Sequence, residues 1–346
     1  MSTNVIERPD QGQEQERQAL RTAYHSIMEG GLNRKTLAMR LWEQGNRKGW
    51  DPADIDFSQD AEHWGLLDDN LREVMTMIAV MFIIGEESVT EDIQPFMRAM
   101  AAEGRFEDEM YLTQFAYEEA KHVDVFRRWL DAVGATHDLH EIVEMGMTVS
   151  TRGILSMGPG GVFSDLQPEA MRRLDTDPSP KAQIRANVIY NQYVEGTLAL
   201  TGYWAWSKIL ESTGGLFPGM QQIIKYLARD ERRHLAWGTY NIRRHIAADD
   251  SLWDYTVECL DEMKARLYEQ EENRKRFVAE SGEGEDDFGK ALGVGPDDRF
   301  AYQLSRLERR YGAIESARGQ SVEAIEAGTT DDAVGDDEGY DDLAAD

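Results

Sequence analysis

Apolar residues recur along most of the chain at spacings of three and four positions, and alternating runs rich in Val, Ile and Thr are nearly absent. The first spacing places side chains on one face of a helix, whereas a half-buried strand needs alternation. The sequence therefore predicts an all-α fold. Clusters rich in Gly, Pro or Asp separate the predicted helices, which cover residues 12–29, 61–103, 106–133, 180–212, 216–247, 251–280 and 297–318.

The same pattern predicts the domain organisation. We expect one helical domain over residues 1–318 and an acidic tail over residues 319–346. The last part of the tail, residues 327–346, is rich in Asp, contains several Gly and has no basic residue, so it has too little apolar surface to form a core. We therefore expect the tail to be disordered, and to serve either to solvate the protein or to dock on a partner.

The net charge of −28 would repel nucleic acids and anionic membranes, so neither is an expected partner. The sequence has no run of the roughly 18–20 uninterrupted apolar residues that a membrane-spanning helix needs. Residues 1–18 are polar, whereas a signal peptide is basic and then apolar. This difference favours a cytoplasmic protein. Acidic residues are spread along the chain, as in a protein kept soluble in high salt or in one with an ordinary acidic surface.

The candidate chemistry starts from the histidines, because the single cysteine, Cys259, excludes a thiolate cluster and leaves oxygen and nitrogen as metal ligands. Of the seven histidines, His122 and His234 have a glutamate three positions earlier, Glu119 and Glu231. Residues three apart stand on one helical face and can bind one ion together. Both pairs interrupt an apolar stripe, where a buried carboxylate is unfavourable unless a cation offsets its charge.

Two further glutamates complete the pattern. Glu86 follows the apolar run 75–85, and Glu195 shares a predicted helical face with Leu198. The order Glu, Glu-x-x-His, Glu, Glu-x-x-His is the one with which ferritin-like bundles hold two metal ions. Glu87 competes with Glu86 but lies about 100° away from the apolar stripe, so we favour Glu86. The predicted ligands of a dinuclear site are Glu86, Glu119, His122, Glu195, Glu231 and His234.

Three segments, Gly85–Phe96, Asp108–His122 and Asp230–Tyr240, closely resemble the ligand-binding oxidases that are homologous to the ribonucleotide reductase small subunit. The resemblance extends from about Gly30 to Ala265. It implies a ferritin-like four-helix bundle with additional helices, assembled as a homodimer. It also implies that the same six residues are the metal ligands.

Further functional expectations depend on the resemblance. Members of this family hold one Mn and one Fe ion, activate dioxygen for two-electron oxidation and bind a long-chain fatty acid near the metals. They also form an ether cross-link between a valine and a tyrosine, which match Val89 and Tyr190 here. Trp50 and Asp230 resemble a tryptophan and an aspartate that flank the metal site of the reductase subunit. Asp230 could accept the free ring proton of a histidine ligand and so fix its tautomer.

The helical spacing supports the expected position of one of the two cross-link residues. Val89 follows Glu86 by three residues and shares its face, whereas Tyr190 precedes Glu195 by five residues and would lie about 140° away on a regular helix. The cross-link therefore requires local unwinding or a bulge in this helix. The alternative interpretation is that Tyr190 is a packed core residue.

Two other functions stay open. A ribonucleoside-diphosphate reductase small subunit would generate a radical for a larger partner. Many such subunits carry the radical on a tyrosine four residues after the first ligand histidine, where this chain has Phe126, but some lack that tyrosine. An iron store is less favoured, because one metal pair in apolar surroundings is little storage for a long chain. Ligand types alone also leave two Fe ions as an alternative to one Mn and one Fe.

Overall fold

The computed structural model describes residues 24–136, 160–281 and 295–334. The chain forms two units, Met1–Asn33 and Arg34–Asp346, so the domain predicted over residues 1–318 is divided after Asn33. In the described part of the first unit, a 3₁₀ turn covers His25–Ile27. Most of the helix predicted over residues 12–29 lies outside the described residues. The described ranges contain helices and no β-strand, which confirms the all-α prediction.

The second unit is built from helices of very different lengths. In chain order they are α1 (Leu37–Lys48), α2 (Ser58–Trp64), α3 (Asp69–Asp92), α4 (Gln94–Ala102), α5 (Phe106–Val133), α6 (Gln167–Arg173), α7 (Pro180–Asn187), a π-helical segment (Val188–Ala199), α8 (Leu200–Ser212), α9 (Pro218–Ala248), α10 (Leu252–Ser281), α11 (Pro296–Glu315), α12 (Val322–Glu326) and α13 (Thr330–Val334). Within the described ranges, none of these helices combines the length and the apolar character needed to cross a membrane.

Four long helical segments form the central bundle: α3, α5, α9, and the π-helical segment together with α8, which continues it. α3 packs along α5, and α9 packs against both α5 and the π-helical segment. The fourth side closes where Phe82 of α3 stacks on Tyr203 of α8, with ring centroids 4.8 Å apart. α1 and α2 cover α5, while α10 and α11 pack against the π-helical segment. This arrangement confirms the predicted four-helix bundle with additional helices.

Capping residues divide the single helix predicted over residues 61–103 into α2, α3 and α4. Asp68 begins α3 by accepting a hydrogen bond from the Leu71 amide (2.8 Å). Pro95 stands in the first turn of α4, where a missing amide hydrogen does no harm. α1, which was not predicted, begins where Thr36 Oγ1 accepts a hydrogen bond from the Met39 amide (3.3 Å). Local capping thus sets helix ends that apolar periodicity does not show.

The helix over residues 180–212 is continuous but changes its winding in the middle. Between α7 and α8, Val188–Ala199 forms π-helical turns, in which backbone hydrogen bonds span five residues. Thr197 Oγ1 adds a 2.9 Å hydrogen bond to the carbonyl of Gln192, five residues earlier. Side chains five residues apart therefore come to lie on one side of the helix.

The prediction of a disordered tail is wrong for the described residues 319–334. α12 and α13 pack against α9, and Ile325 is 3% exposed. Basic side chains of the bundle supply the charge partners that the tail lacks, as where Arg244 Nε lies 2.9 Å from Glu326 Oε1. The prediction considered the composition of the tail by itself, which does not show these partners. The last residues, 335–346, lie outside the described part of the chain.

Candidate metal centre

Six buried side chains meet inside the four-helix bundle. α3 contributes Glu86, α5 contributes Glu119 and His122, the π-helical segment contributes Glu195, and α9 contributes Glu231 and His234. None is more than 6% exposed. Their ligand atoms form two overlapping groups of four, and within each group the atoms lie within 4.8 Å of one another. The structure thus brings together all six residues that the sequence pattern singled out.

Glu119 and Glu231 belong to both groups and face both histidines. His122 Nδ1 lies 3.3 Å from Glu231 Oε1 and 3.8 Å from Glu119 Oε2. His234 Nδ1 lies 3.4 Å from Glu231 Oε2 and 2.8 Å from Glu119 Oε1. Glu86 completes the first group at 3.4 Å from His122 Nδ1, and Glu195 completes the second at 4.0 Å from His234 Nδ1. The two groups could therefore hold two neighbouring metal ions, with Glu119 and Glu231 available to both.

The electrostatics of the cluster show an excess of buried negative charge. Burial raises the pKa of Glu119 and Glu195 well above the usual range, and the nearby Glu231 carboxylate raises both further. Burial alone would lower the pKa of His122 and His234, but the carboxylates around them outweigh it and raise both well above the usual range. Without cations, protons would have to neutralise the cluster. Two divalent cations would balance four carboxylates without protons.

The donor set fits two divalent cations. Among the described residues, the buried atoms Glu231 Oε2 and His234 Nδ1 make no hydrogen bond of normal geometry. Buried polar atoms that make no hydrogen bond are unfavourable, and a metal ion between Glu231 Oε2 and His234 Nδ1 would remove this cost. Carboxylates suit manganese and imidazoles suit iron, so the cluster has ligands for the Mn and Fe ions that the resemblance implies.

Asp230 lies behind His122, on the side away from the carboxylate ligands. Its Oδ2 is 3.4 Å from His122 Nε2 and accepts hydrogen bonds from Trp50 Nε1 (2.8 Å) and Lys121 Nζ (3.1 Å). Burial would raise the pKa of Asp230, but the hydrogen bond to His122 and the charges of Arg233 and Lys121 lower it well below the usual range. The structure therefore places Asp230 beside His122, where it can accept the ring proton, and Trp50 beside Asp230.

His234 has a partner that the sequence analysis missed. Its Nε2 lies 2.9 Å from Glu118 Oε2, and Glu118 Oε1 accepts a 2.7 Å hydrogen bond from Arg233 Nη2. The same Arg233 atom lies 2.7 Å from Asp230 Oδ1, so one guanidinium links the two acids. The sequence contained a signal for Glu118, because an acidic residue directly precedes the glutamate of both Glu-x-x-His pairs.

Tyr190 and Val89 are buried beside the ligand residues. The Tyr190 hydroxyl donates a hydrogen bond to Glu119 Oε1 (3.4 Å). The π-helical turns place Tyr190 and Glu195, five residues apart, on one side of the helix, and so supply the bulge that the regular helix lacked. Val89 is 4% exposed and lies one helical turn after Glu86. Tyr190 therefore contacts a residue of the cluster, and Val89 is buried on the helical face that carries Glu86.

Phe126 occupies the position four residues after His122. It is fully buried, and its ring stacks on Phe82 with centroids 5.0 Å apart. A phenylalanine has no hydroxyl hydrogen to lose, so this position cannot carry a tyrosyl radical.

Comparison with known proteins identifies the family. Residues 34–285 match the family model described as the ribonucleotide reductase small chain. The chain is similar to the R2-like ligand-binding oxidase from Sulfolobus acidocaldarius, with 31% identity, a TM-score of 0.74, and 88% of this chain and 98% of that chain covered. It is also similar to an R2-like ligand-binding oxidase with an aerobically reconstituted Mn/Fe cofactor, with 30% identity, a TM-score of 0.70, and 87% and 99% covered.

The chain belongs to the R2-like oxidases of the ribonucleotide reductase small-chain family. This confirms the resemblance drawn from the three sequence segments. The family consists of oxidoreductases with a dinuclear metal centre, which agrees with the carboxylate and histidine cluster found here.

In this R2-like oxidase, Asn191 positions Glu195. Asn191 Nδ2 donates a 2.8 Å hydrogen bond to Glu195 Oε2. Gly238 of α9 faces Asn191 so closely that a Cβ at this position would lie 2.2 Å from Asn191 Cγ. Any side chain at Gly238 would therefore displace the amide that holds Glu195.

Replacing Gly238 with alanine is expected to lower the free energy of unfolding by about 1–3 kcal/mol, the usual range for overpacking a core. Urea denaturation of parent and variant measures this loss. Gly312→Ala is the matched control, because a Cβ at Gly312, within α11, meets no atom within 4 Å. If Gly238→Ala is as stable as Gly312→Ala, the close approach of α9 to Asn191 is not important for the fold.

Proposed function

We propose that this chain is a dioxygen-activating oxidase that holds one Mn and one Fe ion. The proposed ligands are Glu86, Glu119, His122, Glu195, Glu231 and His234. The observation that carries the proposal is the pair of overlapping four-ligand groups that share Glu119 and Glu231. The Mn/Fe cofactor of a solved relative that is 30% identical supports the mixed pair over two Fe ions.

When bound, the metal pair would supply the electrons that reduce dioxygen. The protein residues would fix the ligands and exclude water. Tyr203 donates a 3.1 Å hydrogen bond to Glu231 Oε1, and so would orient a carboxylate that both ligand groups share. Phe115 stacks on the His234 ring with centroids 3.7 Å apart, which limits rotation of that ring. Since both aromatic side chains are fully buried, they also keep bulk water away from the ligands.

Metal analysis tests the proposal. The purified chain should be loaded with Mn(II) and Fe(II) in equal amounts under air, desalted, and analysed by inductively coupled plasma mass spectrometry. We expect close to one Mn and one Fe ion per chain. Two Fe ions per chain would favour the di-iron alternative, and less than one ion in total would contradict a dinuclear centre.

We further propose that the centre forms an ether cross-link between Val89 and Tyr190. One C–H bond of Val89 and the O–H bond of Tyr190 would break, and a C–O bond would form. The two protons and two electrons released would pass to dioxygen, so the chain would lose two hydrogen atoms. The buried position of Val89 one turn after Glu86, and the hydrogen bond of Tyr190 to Glu119, support this coupling.

The cross-link predicts that aerobic metal loading lowers the intact mass by two hydrogen atoms. Tyr190→Phe should keep its calculated mass, because the oxygen that forms the ether is missing. Tyr193→Phe is the matched control, since Tyr193 is a buried tyrosine of the same π-helical segment, and it should lose the two hydrogens. Separate Val89 and Tyr190 peptides in a digest of the loaded parent would contradict the cross-link.

The family resemblance also supports a long-chain fatty acid as ligand and a homodimer as assembly. Organic extraction of the purified chain followed by mass spectrometry should then yield fatty acid at about one molecule per metal pair. Light scattering coupled to gel filtration should give twice the mass of 39.3 kDa. A lipid-free extract would contradict the first proposal, and a mass of one chain would contradict the second.

A reductase small subunit is the second candidate, because the matching family model carries that description. Phe126 opposes it, since this buried position lacks a phenolic hydroxyl. Electron paramagnetic resonance of the loaded chain separates the two functions. A stored tyrosyl radical would favour the reductase subunit, and its absence together with the cross-link would favour the oxidase.

A further inference from the structure

Three tryptophan rings lie in contact where α2 covers the four-helix bundle. Trp206 of α8 meets Trp129 of α5 edge to face, with ring centroids 5.8 Å apart. Trp129 meets Trp64, the last residue of α2, in the same way at 5.5 Å. Trp206 and Trp129 are fully buried, whereas Trp64 is partly exposed. These three residues, the tryptophan row, therefore lead from the interior of the bundle to its surface.

The inner end of the tryptophan row lies one helical turn from a residue that contacts the metal centre. Tyr203 precedes Trp206 by three residues on α8, so both stand on one helical face. The Tyr203 hydroxyl donates its hydrogen bond to Glu231, a carboxylate that both ligand groups share. Tyr203 also stacks on Phe82, which stacks on Phe126. Because phenylalanine gives up an electron much less readily than tryptophan, the oxidisable continuation from Tyr203 is Trp206.

Trp129 has a proton acceptor at its ring nitrogen. Its Nε1 donates a 2.9 Å hydrogen bond to Oδ2 of Asp60, a fully buried residue of α2. Asp60 also accepts hydrogen bonds from the amides of Gly219 (2.8 Å) and Met220 (2.9 Å). Burial nevertheless raises the pKa of the Asp60 carboxyl, which favours its uptake of a proton. Since loss of an electron makes an indole N–H strongly acidic, Asp60 is placed to receive the proton of an oxidised Trp129.

The electrons needed by dioxygen give the tryptophan row a role. Complete reduction of dioxygen to water takes four electrons. Two would come from the metal pair, and two from formation of the cross-link between Val89 and Tyr190. We propose that the tryptophan row supplies the second two electrons whenever the cross-link cannot form, and so protects the ligand side chains from oxidation. This inference rests on the proposed function, since the metal pair is what reduces dioxygen.

Each electron leaves the row together with a proton transfer. One electron passes from Trp129 through Trp206 and Tyr203 to the oxidised centre, and the Trp129 Nε1 proton passes to Asp60. Trp64 then returns an electron to Trp129, and Asp60 returns the proton. At the surface, a one-electron reductant in solution, such as ascorbate, reduces Trp64. The net result is that two molecules of a one-electron reductant replace the electrons that the cross-link would have given.

Tyr190→Phe provides the test, because its ether cannot form. The variant, with ring-deuterated tryptophan, should be loaded with Mn(II) and Fe(II) without oxygen, mixed with oxygenated buffer and rapidly frozen. Electron paramagnetic resonance should show an organic radical whose signal is narrower than that of the undeuterated sample, which identifies an indole radical. The parent, which forms the cross-link, should lack this signal.

Variants that interrupt the tryptophan row at its two ends should have opposite effects in the Tyr190→Phe background. Trp206→Phe interrupts the inner end, so the indole radical should be lost. Trp64→Phe interrupts the outer end, so the radical should form and should decay more slowly than in Tyr190→Phe when ascorbate is present. Loss of packing alone would not produce this opposition. Each variant should still bind two metal ions by plasma mass spectrometry.

Trp237→Phe is the matched control in the same background. Trp237 is also fully buried, and its Nε1 also donates to a buried carboxylate, Asp108, at 3.0 Å. Its ring packs on Phe96, away from the tryptophan row. The yield of indole radical should stay within about twofold of that in Tyr190→Phe, since distant sites behave independently.

The outcomes separate this inference from the proposed function. If Tyr190→Phe consumes dioxygen and forms no indole radical, or if Trp206→Phe leaves the signal unchanged, the tryptophan row is core packing and the inference is wrong. An equal loss of signal in Trp237→Phe would also overturn it, as a general effect of removing a buried tryptophan. If the loaded parent and Tyr190→Phe both fail to consume dioxygen, the proposed oxidase is refuted, and the inference with it.

Discussion

Glu231→Ala is expected to leave the chain with less than one metal ion after loading with Mn and Fe under air. The two oxygens of Glu231 face different histidines, His122 and His234, so one substitution removes a ligand from both positions. The loss should exceed the 10- to 100-fold that follows removal of a group that merely hydrogen-bonds a ligand. Glu119→Ala should behave in the same way, because Glu119 also belongs to both groups.

The control for this result lies next to a proposed ligand. Glu87 is exposed and adjacent to Glu86, so Glu87→Ala removes a carboxylate of the same helix without touching the cluster. It should retain two ions per chain by plasma mass spectrometry. Full metal content in Glu231→Ala, or an equal loss in Glu87→Ala, would be incompatible with bridging by Glu231.

The second large effect concerns stability at acid pH. His245 is buried among Gln183, Arg105 and Arg244, with its Nε2 2.9 Å from Gln183 Oε1. Burial, and then the positive charges of Arg105 and Arg244, lower the pKa of His245 to about 3. The unfolded histidine has a pKa of about 6.5. The contribution of neutral His245 is therefore complete above pH 6.5 and is lost as the pH falls toward 3.

Comparison with a residue that cannot be protonated isolates this effect. Between pH 7.5 and 4.5, the parent should lose about 3 kcal/mol more unfolding free energy than His245→Asn, since each pH unit below the unfolded pKa contributes about 1.4 kcal/mol. Urea denaturation at both pH values measures the difference. Equal losses of unfolding free energy in the two proteins would mean that folding does not lower the pKa of His245.

The six clustered residues were predictable because helical geometry converts spacing into proximity. Glu119 and His122 share a face by being three residues apart, and Glu231 and His234 repeat the arrangement. A carboxylate on an apolar stripe indicates a cation site, because its burial is unfavourable unless a positive charge offsets its own. The choice of Glu86 over Glu87 agrees with the structure, in which Glu86 is buried and Glu87 is exposed.

The features that escaped prediction depend on contacts between distant segments. Glu118 looks like a solvated acid beside Glu119 until α9 brings His234 and Arg233 to it. The docking of α12 and α13 depends on arginines more than sixty residues earlier, such as Arg244 with Glu326. Periodicity within one segment contains no information about such partners.

Backbone irregularity explains the remaining discrepancy. Tyr190 lies on the wrong side of a regular helix, and only the π-helical winding of Val188–Ala199 turns it toward the cluster. The need for a bulge followed from the resemblance, because the cross-link requires Tyr190 near the metals. The sequence analysis did not give the bounds of this bulge, which the structure places at Val188–Ala199.

Anomalous scattering from crystals of the aerobically loaded chain tests the central claim most directly. Data collected at the Mn and Fe absorption edges should show two neighbouring peaks, one beside Glu86 and His122 and one beside Glu195 and His234, with Glu119 and Glu231 between them. Peaks elsewhere in the protein, or the six side chains hydrogen-bonded to one another with no ion between them, would contradict the claim.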